Sequence, residues 1–183
     1  MKIPAKMIKA VIPFTATKDE RFYLCGFNVT SKYIQATNGH VAIQLEHGIK
    51  RAKKGIYNIK QKVPAKCVTI EFHITKTRSF VEFLDLCDEV IGMSVVEVID
   101  SKFPNIEEKI LCDLYKKPID NVNLPMMQAQ YLSLLSIAFK SIPMAGIDFE
   151  FRGKYDPVLC KAPKNHYSDE LGNPVVIIRP MRK

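Results

Sequence analysis

The chain has 183 residues, 47% of them hydrophobic, enough for one or two packed domains. No apolar run approaches the roughly 20 residues that a membrane-spanning helix needs, and Lys2, Lys6 and Lys9 interrupt any signal-like apolar core at the N-terminus. A net charge of +8 favours a polyanionic partner, most simply nucleic acid, over a merely solvated basic surface.

In chain order, Ile3, Met7, Ala10 and Val11 recur at helical spacing, which predicts a short amphipathic helix over Ile3 to Ile12. Lys2, Lys6 and Lys9 then form a purely cationic exposed face, with Pro4 in the first turn and Pro13 as the stop. Phe22 to Val29 reads as a strand. Val41, Ile43 and Leu45 alternate with Ala42, Gln44 and Glu46 as in a half-buried strand, and Asn38-Gly39 just before it reads as a tight turn. Ile56 to Val63, Val68 to Thr75, Ser79 to Cys87 and Val90 to Ile99 continue the strand pattern, with only a tight connection at Lys76 to Arg78. A second helix is predicted from Met126 to Lys140, its apolar face made by Tyr131, Leu132, Leu135, Ala138 and Phe139. Ile147 to Phe151, Val158 to Lys161 and Pro174 to Pro180 close the chain as strands, and the polar stretch 164–173 reads as a mobile loop. Five scattered cysteines, odd in number and without a CxxC pair, argue against a disulfide framework or zinc site and read as buried thiols in a reducing, cytoplasmic setting.

Four motifs punctuate this pattern: RFYLCGF (Arg21 to Phe27), TNGH (Thr37 to His40), SKFPN (Ser101 to Asn105) and VVIIRPMRK (Val175 to Lys183). In that order they resemble the RYYLNG, ATDGH, RFPD and VVMPMRL signatures of the bacterial DNA polymerase III beta subunit, the sliding clamp. Arg179 departs, standing where that family usually has an apolar residue, and Lys183 replaces a terminal Leu. The resemblance implies an α+β, DNA-clamp-like fold of βαβββ modules with antiparallel sheets and about two helices per chain. It implies that residues 1–112 correspond to the clamp's middle domain. That region divides into modules near 1–49 and 50–112, and Pro64-Ala65-Lys66 leaves the second no room for a normal helix. Residues 113–183 then correspond to the C-terminal half of the last domain. The chain reads as a truncated, divergent relative of the kind a phage or mobile element would encode. Its basic charge also departs from clamps, which tend to be acidic with a basic inner lining.

In that family a short linear peptide of a partner protein enters a hydrophobic cleft between the middle and last domains. The resemblance carries the cleft to Leu24, to Thr37, Gly39 and His40, to Pro104, and to Ile177, Ile178, Pro180, Met181 and Arg182. Apolar walls and a flexible Met suit Leu or Phe anchors, while backbone groups at the turn fix the peptide's direction. Val41 stands where the family has an Arg, and Glu108 where it has a basic residue. For double-stranded DNA, Lys2, Lys6 and Lys9 offer sequence-independent phosphate contacts, and the resemblance adds Arg21 and Tyr23.

Enzyme chemistry finds no footing. The four histidines lack metal-ligand spacing, and there is no nucleophile elbow or phosphate-cradling Gly loop. Asp85, Asp88 and Glu89 read as solvated turn acids. The expectation is therefore a protein without catalytic residues, metal or cofactor. It would act as a processivity factor that tethers DNA polymerase or other clamp-binding proteins to DNA. The alternative is a non-encircling clamp mimic, or decoy, that competes for clamp-binding peptides and modulates host replication. A family ring has twelve modules, so three per chain would need four chains, and a symmetric homo-oligomer, tetramer favoured, is expected.

Overall fold

The chain turns from strand to helix at Pro4. In the computed structural model, which describes residues 1–75, 77–120, 122–143 and 146–181, β1 (Lys2–Pro4) leads directly into α1 (Ala5–Val11). Pro4 is extended, with ψ 127°, and its missing N–H is one a helix start leaves unpaired anyway. The predicted helix therefore begins two residues late for Lys2 and Ile3. Strand alternation buries Ile3 in the core and sends Lys2 to the opposite side. The apolar face of α1 is broad, with Ala5, Met7, Ile8, Ala10 and Val11 all buried.

Phe22–Cys25 forms a 3₁₀ turn rather than the start of a strand. Then follow β2 (Phe27–Val29), β3 (Tyr33–Thr37), β4 (Val41–Glu46), β5 (Gly55–Ile59), β6 (Thr69–Ile74), β7 (Ser79–Leu84) and the long β8 (Val90–Ile99). No helix separates β5 from β6, as Pro64-Ala65-Lys66 predicted. A π-helical turn, Glu107–Leu111, runs into α2 (Cys112–Lys116). Next comes α3 (Ala129–Ala138), shorter than predicted because Gln128 is still extended. The chain ends through β9 (Asp148–Glu150), β10 (Val158–Lys161), α4 (His166–Leu171) and β11 (Val175–Ile178).

All strands join one antiparallel sheet in the order β1-β6-β7-β8-β5-β2-β3-β4-β11-β10-β9. Strand β8 splices its two parts: Val90 to Val95 pairs with β7, and Val96 to Ile99 with β5. The architecture is the expected α+β one with antiparallel sheets; among the described residues it holds four short helices, where about two were expected. The main core lies between the sheet and α1, with α3 packed beside α1. A smaller core lies on the other face, where Ile106, Leu111 and Leu114 cover Ala42, Leu159 and Ile177. Strand β4 is consequently buried on both faces from Val41 to Leu45, not half-buried. The polar Gln44 survives there because its Oε1 accepts from Gln35 Nε2 at 2.6 Å, and Gln35 in turn accepts from Asn28 at 3.2 Å. The thiols are also mixed: Cys67 and Cys160 are buried, whereas Cys87 and Cys112 are exposed.

The stretch 164–173 is not a loop but α4, closed at both ends. Asn165 and Ser168 form a reciprocal capping box, with Ser168 N–H donating to Asn165 Oδ1 at 2.8 Å and Asn165 N–H to Ser168 Oγ at 2.9 Å. Gly172 ends the helix in the left-handed region at φ +87°, and its carbonyl accepts from Glu46 N–H at 2.7 Å. A Cβ there would stand 2.0 Å from the Glu46 carbonyl oxygen. Gly172→Ala is expected to cost about 3 kcal/mol of stability, since strain and a backbone clash add. Asn165→Ala should cost only about 1 kcal/mol, because it removes the cap. Urea unfolding midpoints of the two variants check the ranking.

Candidate functional site

The turn between β3 and β4 is built by its own side chains. Thr37 Oγ1 donates to the Val41 carbonyl at 2.7 Å and accepts from Gly39 N–H at 3.0 Å. Asn38 Oδ1 accepts from the N–H groups of His40 and Val41, both at 3.0 Å. Only Gly39 takes a positive φ, +91°. The Arg21 guanidinium closes over it, with Nη2 3.2 Å from where a Cβ would sit. Asp19 holds Arg21 by two bonds, Nε to Oδ1 at 3.0 Å and Nη2 to Oδ2 at 2.9 Å. Those bonds draw the Asp19 carboxyl down to about 2, so the pair stays ionised throughout the neutral range. On the other side the His40 ring stacks on Tyr131 at 5.8 Å, and its carbonyl accepts from Arg179 N–H at 2.9 Å.

A cleft of about 370 Å³ opens beside this turn. The cross-strand pair Ala42 and Ile177 lines it, together with Leu24, Thr37, Gly39, His40, Val41 and Pro104. Ile106, Ile110 and Leu114 supply an apolar wall, and Arg21, Tyr23, Lys109, Asp113, Lys117, Asp156, Pro157 and Arg179 complete the lining. That wall is tied down where the Tyr33 hydroxyl donates to Glu107 at 2.9 Å. The Tyr33 phenol is raised, by burial first and then by this carboxylate. Behind the cleft, Arg152 donates to the Lys117 carbonyl at 2.5 Å and to Glu150 at 2.6 Å. Burial alone would raise the Glu150 carboxyl, but Lys161 and Arg152 hold it below its ordinary value.

Of the residues read from the motifs, Leu24, Thr37, Gly39, His40, Pro104 and Ile177 come together in this cleft. Ile178 does not, because alternation along β11 turns it into the main core next to Val176. Pro180 and Met181 lie outside the lining. Met181 N–H donates to the Met126 carbonyl at 2.8 Å, which directs the chain towards the segment before α3. Arg182 falls outside the described residues. Arg21 and Tyr23, expected as DNA contacts, are also part of the cleft lining. Ile106, Ile110 and Leu114 were missed, although their four-residue spacing is a helical stripe visible in the sequence.

The three lysines do not form one cationic face. Lys2 lies on strand β1, 3.4 Å from Asp88 and 3.8 Å from Glu71. Lys6 pairs with Glu170 at 2.8 Å, and Lys9 donates to the carbonyls of Ala65 and Cys67 at 3.1 and 3.0 Å. Local spacing also hid the grouping of Glu71, His73 and Glu82, whose candidate ligand atoms lie within 4.8 Å of one another. Glu82 reaches it from the neighbouring strand, opposite Glu71.

The whole chain superposes on solved sliding clamps. The Bacillus subtilis DNA polymerase sliding clamp matches with TM-score 0.64 at 14% identity, over 100% of this chain and 64% of that one. Caulobacter crescentus pol III beta gives 0.63 at 15%, over 100% and 65%. The Pseudomonas aeruginosa clamp crystallised with ligand gives 0.62 at 13%, over 100% and 66%. The chain has the sliding-clamp fold. It spans less than two thirds of the length of each of these clamps. No protein-family model matches it, and neither does any curated protein. Among the described residues no helix is long and apolar enough to cross a membrane. Within this clamp fold, Thr37→Val is expected to cost about 1–2 kcal/mol, because it strips the buried turn of two hydrogen bonds while keeping side-chain volume. Thermal unfolding of the variant measures it.

Proposed function

We propose that this protein is a non-catalytic, sliding-clamp-like factor in DNA replication, holding a polymerase or another partner near double-stranded DNA by taking up a short peptide. The observation that carries this is the cleft. In a clamp fold, residues far apart in the chain, Leu24, Thr37 and Gly39 to Val41 on one side and Ile177 on the other, meet over a preformed apolar floor. A groove of that size suits two apolar anchors of an extended peptide. A labelled peptide with Leu and Phe anchors should bind in the micromolar range, on the order of −8 kcal/mol. Ile110→Ser should weaken it about tenfold, while Met181→Ala, outside the lining, should leave it unchanged. Equal binding by the Ile110 variant and the parent would remove the cleft as the site.

DNA contact is assigned to the side of the molecule that carries α1 and α3. Lys6 and Lys9 project from α1, and Lys62 and Lys66 lie on the exposed connection that Lys9 ties to it. Exposed Lys140 follows α3. Binding should be independent of sequence and fall steeply with salt. Replacing Lys62, Lys66 and Lys140 with Ser should lower the log–log salt slope by about 0.9 for each phosphate that is no longer neutralised. Peptide binding without any DNA association would instead identify a competitor for clamp-binding peptides.

Assembly follows from the ends of the sheet. Among the described residues β1 and β9 are free edges, and natural proteins cover or pair such edges. Beside β9 lies an open groove of about 550 Å³ lined by Leu132, Leu135, Phe139, Ile142, Ile147 and Phe149. A second copy that joined β1 to β9 would extend the sheet head to tail, and such head-to-tail contacts close into rings; at three modules per chain, a clamp-like ring of twelve modules takes four chains. Light scattering at micromolar concentration should give a mass near four chains. A strict monomer, with and without DNA, would defeat the ring.

A further inference from the structure

We infer that the cleft selects peptides whose apolar anchors are flanked by carboxylates, and that Arg179 and Lys109 are the groups that read them. This rests on the peptide-binding reading above. The lining carries four full cations, Arg21, Lys109, Lys117 and Arg179, against two carboxylates, Asp113 and Asp156. Most of this charge is already matched. Arg21 is held by Asp19, Lys117 pairs with Asp156 at 2.6 Å, and Asp113 pairs with Lys116 at 3.5 Å. Arg179 and Lys109 remain, both exposed, and neither has an ion-pair partner among the described residues. The cleft therefore combines an apolar floor with two uncompensated positive charges.

That combination discriminates between partners. In the empty cleft water solvates both cations. A docked peptide displaces part of that water, and a desolvated charge is costly unless an opposite charge replaces the solvent. A peptide with neutral flanks leaves the cost standing, and a cationic one adds repulsion. A peptide with Asp or Glu beside its anchors offsets it and gains charge-assisted hydrogen bonds. Arg179 is suited to the task. Its backbone N–H is fixed to the His40 carbonyl, and it follows β11, the strand whose Ile177 lines the cleft. Its planar fork can donate two parallel hydrogen bonds to a carboxylate. Lys109 stands on the π-helical turn next to Ile110, so its charge lies beside one of the apolar walls.

The test uses the full chain and three labelled peptides that share Leu and Phe anchors and differ only in flanks of Asp, Ser or Lys. Fluorescence anisotropy at low and high salt gives the affinities. The Asp-flanked peptide is expected to bind tightest, by roughly tenfold over the Ser-flanked one at low salt, with the gap narrowing as salt rises. In the Arg179→Gln, Lys109→Gln double variant the ratio between those two peptides should fall to near one, and Arg179→Glu should shift preference towards the Lys-flanked peptide. Equal affinity of the parent chain for Asp- and Ser-flanked peptides, or an unchanged ratio in the double variant, overturns the inference but leaves the cleft reading standing. If none of the three peptides binds, the cleft reading itself falls. An oligomer that dissociates on adding the Asp-flanked peptide would make the occupant a second copy of the chain and overturn the assignment to a separate partner.

Discussion

Strands β4 and β11 come from opposite ends of the chain, and their antiparallel pairing, from Val41 with Ile178 to Gln44 with Val175, is the interaction the rest of the structure depends on. Closing so long a loop costs entropy that rises only slowly with its length, and burial has to offset it. Here burial comes from both faces. Val41, Ile43, Val176 and Ile178 enter the main core, while Ala42 and Ile177 are covered by the segment that carries Ile106, Leu111 and Leu114. Each large aliphatic side chain so buried contributes about 1.5–3 kcal/mol. The same pairing makes the cleft, because Ala42 and Ile177 are partners in the ladder and neighbours in its lining.

The helices follow a similar economy. The region between β5 and β6 has no helix, so the sheet there needs another cover. The 64–67 turn takes part of that role, pinned to α1 by Lys9 through the carbonyls of Ala65 and Cys67. Val63 and Cys67 fill the space beneath it. Helix α3, much later in the chain, packs against α1 and against β11. A lysine that looks like a free charge in the sequence is thus a structural tie.

Around the cleft, charge is organised in layers. Asp19 and Arg21 brace the Gly39 turn from outside, and the Glu150, Arg152 and Lys161 group braces the Lys117 backbone from behind. The Asp19–Arg21 pair, with its guanidinium half in solvent, positions atoms more than it stabilises the fold, whereas the Glu150 group is largely buried and its charges are held in place by one another. After this pairing, Arg179 and Lys109 are the lining cations without an ion-pair partner among the described residues. Arg179 is also one of the two residues at which the terminal motif departs from the clamp pattern.

The strand pattern was legible in the sequence because alternation is a local property. Val90 to Ile99 and Val158 to Lys161 have the predicted bounds, and the Asn38-Gly39 turn lies where side-chain chemistry put it. The clamp fold and the cleft positions came from the resemblance of the four motifs to clamp signatures, and six of the residues so implied line the pocket. Helix α4 and the Ile106, Ile110, Leu114 stripe were also encoded locally, in a capping box and a four-residue repeat, and went unread because loop-like composition and short length masked them. What the sequence could not determine depends on which strand meets which. Burial of both faces of β4, the turn of Ile178 away from the cleft, the entry of Arg21 and Tyr23 into it, and the pairing of Lys2 and Lys6 with acids far along the chain all require the register between distant segments. Only the tertiary structure decides that register, because the contacts are made between residues that no local period relates.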